Sequence, residues 1–338
     1  MSETAARRLS DEQIAEIYRE DVQPSLARIP SQDSPRMLAL GGPQGSRKST
    51  LRSVVAEHLG LTDVVYFDGD DHYTFHPHYD ALALEHGALE ASRLCRPDVE
   101  ILRARILSEV FDRRLNIMLV GPLTNEEYTF QQVDLFRDNG YQADLAYTAL
   151  HPALSEVGVM DRHRQAMTEG PGYSYLVSLE LQREVFEGVP VIMTVAEERG
   201  TVAALHVVDA GGVVFSKHRN ADGTWSPSRP AGDVVEETRR QPWSPGTGQD
   251  FLRRRSAVST PVGESAEEWN KRLARVDGLA APMLAPSASS IRPSAQAARK
   301  RSTTLPSSRA GKKSAAPPPS SRPAAPSPGR ESSSGRSR

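Results

Sequence analysis

The sequence predicts an α/β protein in which a mainly parallel sheet carries helices on both of its faces. Short apolar runs of strand length alternate with longer helical patterns between residues 36 and 167. This alternation is typical of parallel strands that are joined by crossover helices. A glycine-rich stretch follows the first apolar run, and an acidic stretch follows the second. Because open parallel sheets bind ligands beyond the carboxyl ends of their strands, both stretches are candidates for a functional site.

The first predicted element is a helix that begins at Ser10. The sequence SDEQ provides a serine cap and a glutamine three residues later, and the helix continues through IAEIYRE. We expect residues 1–35 to form a helical brace on the main fold. The apolar run Met37 to Leu40 is bounded by Pro35 and Gly41, which favours a buried parallel strand.

Strands and helices then follow in turn. The predicted strands after the first are 64–67, 117–120 and 143–150, and the predicted helices are 49–60, 97–114, 126–138 and 153–167. Residues 203–217 indicate two strands around a Gly-Gly turn, and we expect them to add a hairpin at the edge of the sheet. Residues 221–284 are expected to form an extension of loops with one short amphipathic helix at 264–276.

The composition changes sharply near the C-terminus. Residues 285–338 consist almost entirely of Ser, Pro, Ala, Arg, Lys and Gly, with eleven basic residues and one carboxylate. Such a segment buries too little apolar surface to fold, so we predict a disordered basic tail. Removing these residues from the totals of 41 basic and 43 acidic leaves 30 and 42, a net charge of −12 for residues 1–284. That charge argues against nucleic-acid binding by the body, and leaves it to the tail alone.

Cysteine content favours a reducing compartment, and hydropathy favours a protein without a membrane span. The single cysteine, Cys95, excludes an internal disulfide and a cysteine-rich metal site. No apolar run approaches the ~20 residues that span a bilayer, and the N-terminus carries charges where a signal peptide needs an apolar stretch. We therefore expect a soluble cytoplasmic protein with no membrane partner.

The stretch GGPQGSRKST, Gly41 to Thr50, nearly matches the phosphate-binding pattern G-x-x-x-x-G-K-[ST]. In such loops backbone N–H groups and the following helix bind a polyphosphate, a lysine neutralises it, and a hydroxyl coordinates Mg²⁺. Lys48 and Ser49 provide the last two groups. The predicted strand before the stretch and helix after it are the context that this motif requires, so the fold prediction becomes P-loop NTPase-like.

Arg47 departs from the pattern, which has its second glycine at this position. If the loop keeps the backbone of a phosphate-binding nest, Arg47 needs a positive φ at a cost of about 1–2 kcal/mol. The residues that we predict to bind the nucleotide are Gly42, Pro43, Gln44, Gly45, Ser46, Arg47, Lys48, Ser49 and Thr50.

The acidic stretch FDGDDHYTFHPHYD, residues 67–80, offers three candidates for a general base, Asp68, Asp70 and Asp71. Phosphoryl transfer to a hydroxyl needs a carboxylate near that hydroxyl to accept its proton. Three histidines, at positions 72, 76 and 78, leave a metal site as an alternative. Their spacing, with a proline between the last two, does not place all three on one helix face. A solvated acidic turn without chemistry is a further alternative.

Together the two stretches resemble the zeta toxin family of P-loop kinases. The resemblance lies in Gly-Gly-x-x-Gly-Ser-x-Lys-Ser-Thr, the later Asp-Gly-Asp and His-Pro-His-Tyr-Asp, and NGYQADLAYTALHPALS, and it covers roughly residues 36–220. It implies transfer of the ATP γ-phosphoryl group, with Mg²⁺, to the 3′-hydroxyl of UDP-N-acetylglucosamine. It also implies a small helical antitoxin that blocks the ATP site.

The resemblance implies a role for each matching residue. Lys48 is the phosphate lysine, Ser49 the magnesium ligand and Asp70 the general base, while Arg162 stands where the family has a nucleotide-contacting arginine. The acceptor is expected to contact three further side chains, Asp68, His76 and Tyr79.

Three positions depart from the family pattern. Arg47 replaces a glycine, Val120 replaces an acidic residue of Ile-Glu-Gly-Thr, and Tyr173 stands where a second arginine is expected. One interpretation keeps catalysis, with Arg47 providing the charge that Tyr173 lacks. Two alternatives remain: a catalytically silent nucleotide-binding or protein-interaction relic of that family, and a P-loop kinase for another acceptor hydroxyl.

Overall fold

A seven-stranded sheet forms the centre of the protein in a computed structural model that describes residues 8–284. The strands are β1 (Arg36–Gly41), β2 (Val64–Asp68), β3 (Asn116–Val120), β4 (Gln142–Thr148), β5 (Ala204–Asp209), β6 (Gly212–Arg219) and β7 (Trp225–Ser226). Their order is β2-β3-β1-β4-β5-β6-β7. Strands β1 to β5 are parallel to one another, and β6 and β7 pair antiparallel at one edge. The predicted basic tail, residues 285–338, lies outside the described residues.

Eleven α-helices surround this sheet within residues 8–284. They are α1 (Asp11–Ile17), α2 (Gln23–Leu26), α3 (Lys48–His58), α4 (Tyr79–His86), α5 (Ala88–Asp112), α6 (Glu126–Asp138), α7 (Pro152–Thr168), α8 (Leu179–Arg199), α9 (Ala231–Arg240), α10 (Pro245–Ala257) and α11 (Ala266–Leu284). A π-helical turn, Tyr18–Val22, and a 3₁₀ turn, Asp71–Phe75, complete the regular structure. None of the described helices combines the length and the apolar character needed to cross a membrane.

Both faces of the sheet are buried, as the α/β prediction requires. In β1, Met37 and Ala39 pack into a core shared with α5, α6 and α8, whereas Leu38 and Leu40 pack into a second core with α3. Alternate side chains of a strand point to opposite faces, so a continuous apolar run places a core on each side. The predicted fold class is confirmed.

The N-terminal segment packs on α5. The Ser10 hydroxyl accepts a hydrogen bond from the Gln13 amide, and the Gln13 side chain accepts one from the Ser10 amide, which confirms the predicted capping box. Just before this cap, Arg8 Nε and the Leu9 amide donate to the buried Asp98 carboxylate of α5, at 2.6 and 3.1 Å. These bonds tie the start of the described chain to α5.

Two helices differ from the sequence prediction, and each of them contains a proline in its interior. Helix α5 begins at Ala88, well before the expected start, and contains Pro97. Helix α8 was not predicted, and it contains both Gly188 and Pro190. Gly188 lets α8 lie close to the main fold, because a Cβ there would be only 2.9 Å from the Thr124 Cβ. Packing against the sheet therefore outweighs the low helix propensity of both residues.

The segment after the sheet contains three helices, α9, α10 and α11, instead of loops with one short helix. Helices α10 and α11 form a core with α7, in which Trp269 is completely buried. The Trp269 indole donates to the Val258 carbonyl at 2.8 Å. A buried ion pair, Arg272 Nη1 to Glu156 Oε1 at 2.6 Å, also joins α11 to α7. Helix α10 is thus fixed beside α7.

We expect Trp269→Ala to lower the free energy of unfolding by about 3–5 kcal/mol, because it removes a fully buried side chain and its hydrogen bond. Denaturant unfolding of the full chain measures this change. As a control, Leu252→Ala removes a side chain of α10 that is 53% exposed, and should change stability by no more than about 0.5 kcal/mol. Equal stability of the two variants would contradict the packing of α10 and α11 described here.

Candidate functional site

The glycine-rich loop joins β1 to α3 and has the backbone of a phosphate-binding nest. Gly42, Gly45 and Arg47 have φ values of +135°, +72° and +66°. Arg47 is the residue before the first turn of α3, with ψ of 21°, in the left-handed region. The positive φ expected for Arg47 is confirmed. The Arg47 backbone is therefore strained, and its side chain is exposed to solvent.

Helices α7 and α8 hold this loop from the side. The Gln44 carbonyl accepts hydrogen bonds from the Ser155 hydroxyl at 2.6 Å and from the Gln182 amide at 2.9 Å. The backbones of Gly45 and Gly158 touch, since a Cβ on Gly158 would lie 2.7 Å from the Gly45 carbonyl oxygen. These supports lie more than a hundred residues from the loop in sequence. No local pattern marks them, and sequence reasoning missed them.

Lys48 folds its amine back onto the loop. Its Nζ donates to the carbonyl oxygens of Gly42 and Pro43, at 2.7 and 2.9 Å. Burial lowers the pKa of Lys48 to about 8, and the charge of Arg162 lowers it further, while Asp68 and Asp70 act in the opposite direction. A lysine held in this way is prepared to bind an anion, because a bound phosphate would restore the charged form.

The acidic turn after β2 faces the loop. Asp68, the last residue of β2, accepts a hydrogen bond from the Asp70 amide at 3.1 Å. Burial raises the pKa of the Asp68 carboxyl, and the charges of Asp71 and Asp70 add to this effect. Arg103 of α5 fixes the turn by donating to the Gly69 carbonyl and, at 3.3 Å, to His72 Nδ1. The Asp70 side chain is exposed to solvent.

One cleft of about 400 Å³ lies between the glycine-rich loop, the acidic turn after β2 and helix α7. Its wall includes Gln44, Gly45, Ser46, Arg47, Lys48, Ser49, Thr50, Asp68, Asp70, Val120, Gly121, Pro122, Gly158, Arg162, Gln165 and Arg254. The structure therefore brings together the predicted nucleotide loop, Asp68, Asp70 and Arg162. Of these, the exposed side chains are Arg47, Ser49, Thr50, Asp70 and Arg162.

Two predicted acceptor contacts, His76 and Tyr79, do not lie in the wall of this cleft. His76 is buried, with Nε2 at 3.2 Å from an Asp98 oxygen and Nδ1 at 3.4 Å from the Cys95 sulfur. The Tyr79 hydroxyl lies 3.3 Å from the Ser92 hydroxyl. Their polar groups contact α5 instead, so both residues link the segment after the acidic turn to α5.

Tyr173, at the position of the expected second arginine, is also absent from the wall of the cleft. Its hydroxyl donates to Asp80 at 2.5 Å, and its ring packs edge-on against Tyr79 at 5.9 Å. Val120 does line the cleft, where its register partner on β2 is Asp68. The departures at these two positions therefore have different effects: one leaves the cleft without an arginine from that turn, and the other replaces a carboxylate by an apolar wall.

The donors in the cleft fit a magnesium nucleotide. The Ser49 hydroxyl and the Asp68 carboxylate both line it, and oxygen is the ligand that Mg²⁺ prefers. Within residues 8–284, no group of three or more His, Cys, Asp and Glu residues could hold a metal ion. An ion here would thus need phosphate oxygens and water for its remaining ligands, which is how Mg²⁺ usually binds with nucleotides.

Known proteins resemble this chain in sequence and in fold. The toxin PezT of Streptococcus pneumoniae is 24% identical over 141 residues, 42% of this chain and 55% of PezT. The toxin zeta of Streptococcus pyogenes is 21% identical over 181 residues, 54% of this chain and 62% of that toxin. The chain thus matches less than two thirds of the length of either relative.

A solved structure from the PezAT chromosomal toxin–antitoxin system of Streptococcus pneumoniae has the same fold. Its TM-score is 0.60 at 18% identity, and the match covers 80% of this chain and 98% of that one. A sequence model of the family described as "Zeta toxin" matches residues 21–221, which is more than half of the 338 residues. The chain belongs to the zeta toxin family.

Proposed function

We propose that the protein is an ATP-dependent kinase that transfers the γ-phosphoryl group to a hydroxyl of a small molecule, with UDP-N-acetylglucosamine as the leading acceptor. One observation carries the proposal: Lys48, Arg162 and Asp70 meet in one cleft beside a loop with phosphate-nest geometry. Family membership supports the same reaction class. The acceptor rests on the resemblance alone.

The loop and the cations of the cleft bind and orient the phosphates. Backbone N–H groups of the loop and the start of α3 face the polyphosphate, and Lys48 leaves the loop carbonyls to neutralise it. Arg162 has no hydrogen bond or ion pair to another described residue, so it is free to contact the transferred group. Ser49 would hold Mg²⁺ from this chain, and the ion would supply positive charge that neutralises the phosphates.

Asp70 is the proposed general base. As the acceptor oxygen bonds to the γ-phosphorus, the bond from that phosphorus to the bridging oxygen breaks and ADP leaves. The acceptor proton passes to the Asp70 carboxylate. The Asp70 side chain is exposed at the wall of the cleft, where an acceptor would enter. Asp68 lies deeper and positions this turn by accepting the Asp70 amide.

A catalytically silent nucleotide-binding protein is the second candidate. The apolar Val120 in the cleft favours it, because a carboxylate of the family pattern is missing from that wall. A kinase for another acceptor hydroxyl is the third. The second candidate lacks phosphoryl transfer, and if it is a protein-interaction relic of the family it also lacks ATP binding. The third candidate binds ATP and transfers the phosphoryl group to a different acceptor.

A small helical antitoxin that covers the ATP cleft is the proposed protein partner. The solved structure with the same fold comes from the PezAT chromosomal toxin–antitoxin system. Nucleic-acid contact through the basic tail and a cytoplasmic location stay predictions.

The first test is phosphoryl transfer from ATP to UDP-N-acetylglucosamine by the full chain with Mg²⁺, followed by the mass gain of the acceptor. We expect Asp70→Asn to reduce the rate at least about 100-fold, because the proton has no acceptor, and to leave ATP binding nearly intact. The matched control is Asp71→Asn. Asp71 is the next residue, pairs with Arg52 at 3.5 Å and lies outside the cleft wall.

Equal rates of Asp70→Asn and the parent would refute Asp70 as the base. ATP binding without transfer to this sugar, but with transfer to another hydroxyl, would select the third candidate. ATP binding without transfer to any acceptor tested would select the silent protein.

The pH dependence of ATP binding tests the role of Lys48. Burial lowers the pKa of Lys48 to about 8, so the free protein loses this charge as pH rises through that value. Only the charged amine attracts phosphate, and we expect affinity to fall about tenfold between pH 7 and pH 9. Calorimetric titration at several pH values measures the change. Lys48→Arg keeps its charge throughout and should show a flat profile; the same slope in both proteins would assign the pH dependence to another group.

The contact between Gly45 and Gly158 provides a further test. Gly158→Ala adds a Cβ that would lie 2.7 Å from the Gly45 carbonyl oxygen, so the loop must move, and we expect ATP affinity to fall at least about tenfold. Calorimetry with ATP measures the loss. Gly278→Ala is the control, because it adds the same atom on a helix with nothing within 4 Å, and should leave affinity unchanged. Unchanged affinity in Gly158→Ala would show that the loop tolerates displacement.

A further inference from the structure

We propose that the guanidinium of Arg254, on helix α10, binds a phosphate of the nucleotide and completes the cationic wall of the cleft. This inference rests on the proposed function, since it assumes that the cleft binds a nucleotide. Arg254 lies beyond residues 21–221, the segment that the family model matches. It belongs to a helix that the sequence did not predict.

Arg254 stands where two cavities meet. The cleft of about 400 Å³ and a neighbouring pocket of about 230 Å³ share three residues of their walls, Gly45, Arg47 and Arg254. The neighbouring pocket has an apolar side that includes Leu150 and Leu154, and a polar side on α10 that includes Thr247 and Asp250. A ligand with an anionic chain and an apolar ring system would place the chain in the cleft and the rings in the pocket. Its phosphates would then pass Arg254.

The position of Arg254 is fixed by packing and by one carboxylate. Phe251, one turn earlier on α10, is 1% exposed and belongs to the core that α10 shares with α7 and α11. Arg254 Nε lies 3.0 Å from Asp250 Oδ2, and the Arg254 side chain is only 23% exposed. A guanidinium held in this way loses little freedom when an anion binds, which favours affinity.

The junction of the two cavities, at Arg47 and Arg254, has a positive net charge. Asp250 pairs with both Arg253 and Arg254, so one carboxylate serves two guanidiniums. Burial works to raise the pKa of Asp250, yet Arg253, Arg254 and the nearby Arg47 hold it below its usual value. With three arginines around one carboxylate, the junction attracts a further anion.

Arg254 also accounts for the missing arginine of the family pattern. Tyr173 stands at that position, bonds to Asp80 and lies outside the cleft wall. Helix α10 presents an arginine to the same cleft from another element, so the wall has a guanidinium there in addition to those of Arg47 and Arg162. The charge is thus supplied by the C-terminal helices and not by the turn after α7.

Calorimetric titration of the full chain with ATP and Mg²⁺ tests the proposal. Arg254→Ala is expected to weaken ATP binding about tenfold to hundredfold, the loss of a charge-assisted hydrogen bond, and Arg254→Lys should recover part of it. Arg253→Ala is the matched control. Arg253 is the adjacent residue, pairs with the same Asp250, is 72% exposed and lies outside both cavity walls. We expect its affinity to stay within twofold of the parent.

Each outcome decides a separate question. Equal affinity of Arg254→Ala and Arg253→Ala would overturn the assignment of Arg254 while leaving a nucleotide-binding protein. A selective loss in Arg254→Ala in a protein without phosphoryl transfer would support Arg254 and contradict the kinase. Absence of ATP binding by the parent would overturn both proposals. If Arg254→Ala does not fold, Arg254→Gln keeps the length of the side chain without its charge, and the same comparison applies.

Discussion

The close contact between Gly45 and Gly158 is the constraint on which the site depends. Two glycines allow the backbone of the loop to lie directly on α7. A Cβ on Gly45 would overlap α7, and a Cβ on Gly158 would overlap the loop. Helix α7 also donates to the loop through Ser155 and places Arg162 at the cleft wall. One helix therefore sets both the shape of the loop and the position of a cation opposite it.

The opposite side of α7 carries the C-terminal helices. Val157 and Met160 pack into the core that contains Trp269, and Glu156 pairs with the buried Arg272. Because the same helix supports the loop and anchors α10 and α11, the C-terminal segment is part of the site and not an independent extension. Changes in that distant core should reach the cleft through α7.

Sequence predicted the parts of the site that depend on local pattern. The loop, its lysine and the positive φ of Arg47 follow from the strand–turn–helix motif, and Asp68 and Asp70 follow from the rule for strand ends. The supports of the loop are not local, so Gln182 was missed together with helix α8, whose Gly188 and Pro190 indicate a break. His76 was placed with the acceptor because it lies in the His-Pro-His-Tyr-Asp stretch of the resemblance, but its own polar atoms contact buried groups of α5.

The charges in the cleft limit what it can bind. Among the described residues of the cleft wall, cationic side chains outnumber carboxylates. The cations are Arg47, Lys48, Arg162 and Arg254, and the carboxylates are Asp68 and Asp70. This positive site lies in a body whose net charge is −12 for residues 1–284. The negative net charge of the body disfavours a long polyanion, whereas the cations of the cleft attract a small anion. This distribution of charge fits the proposed nucleotide ligand. The cations of the cleft come from the loop, α7 and α10, so the site requires all three elements to be assembled.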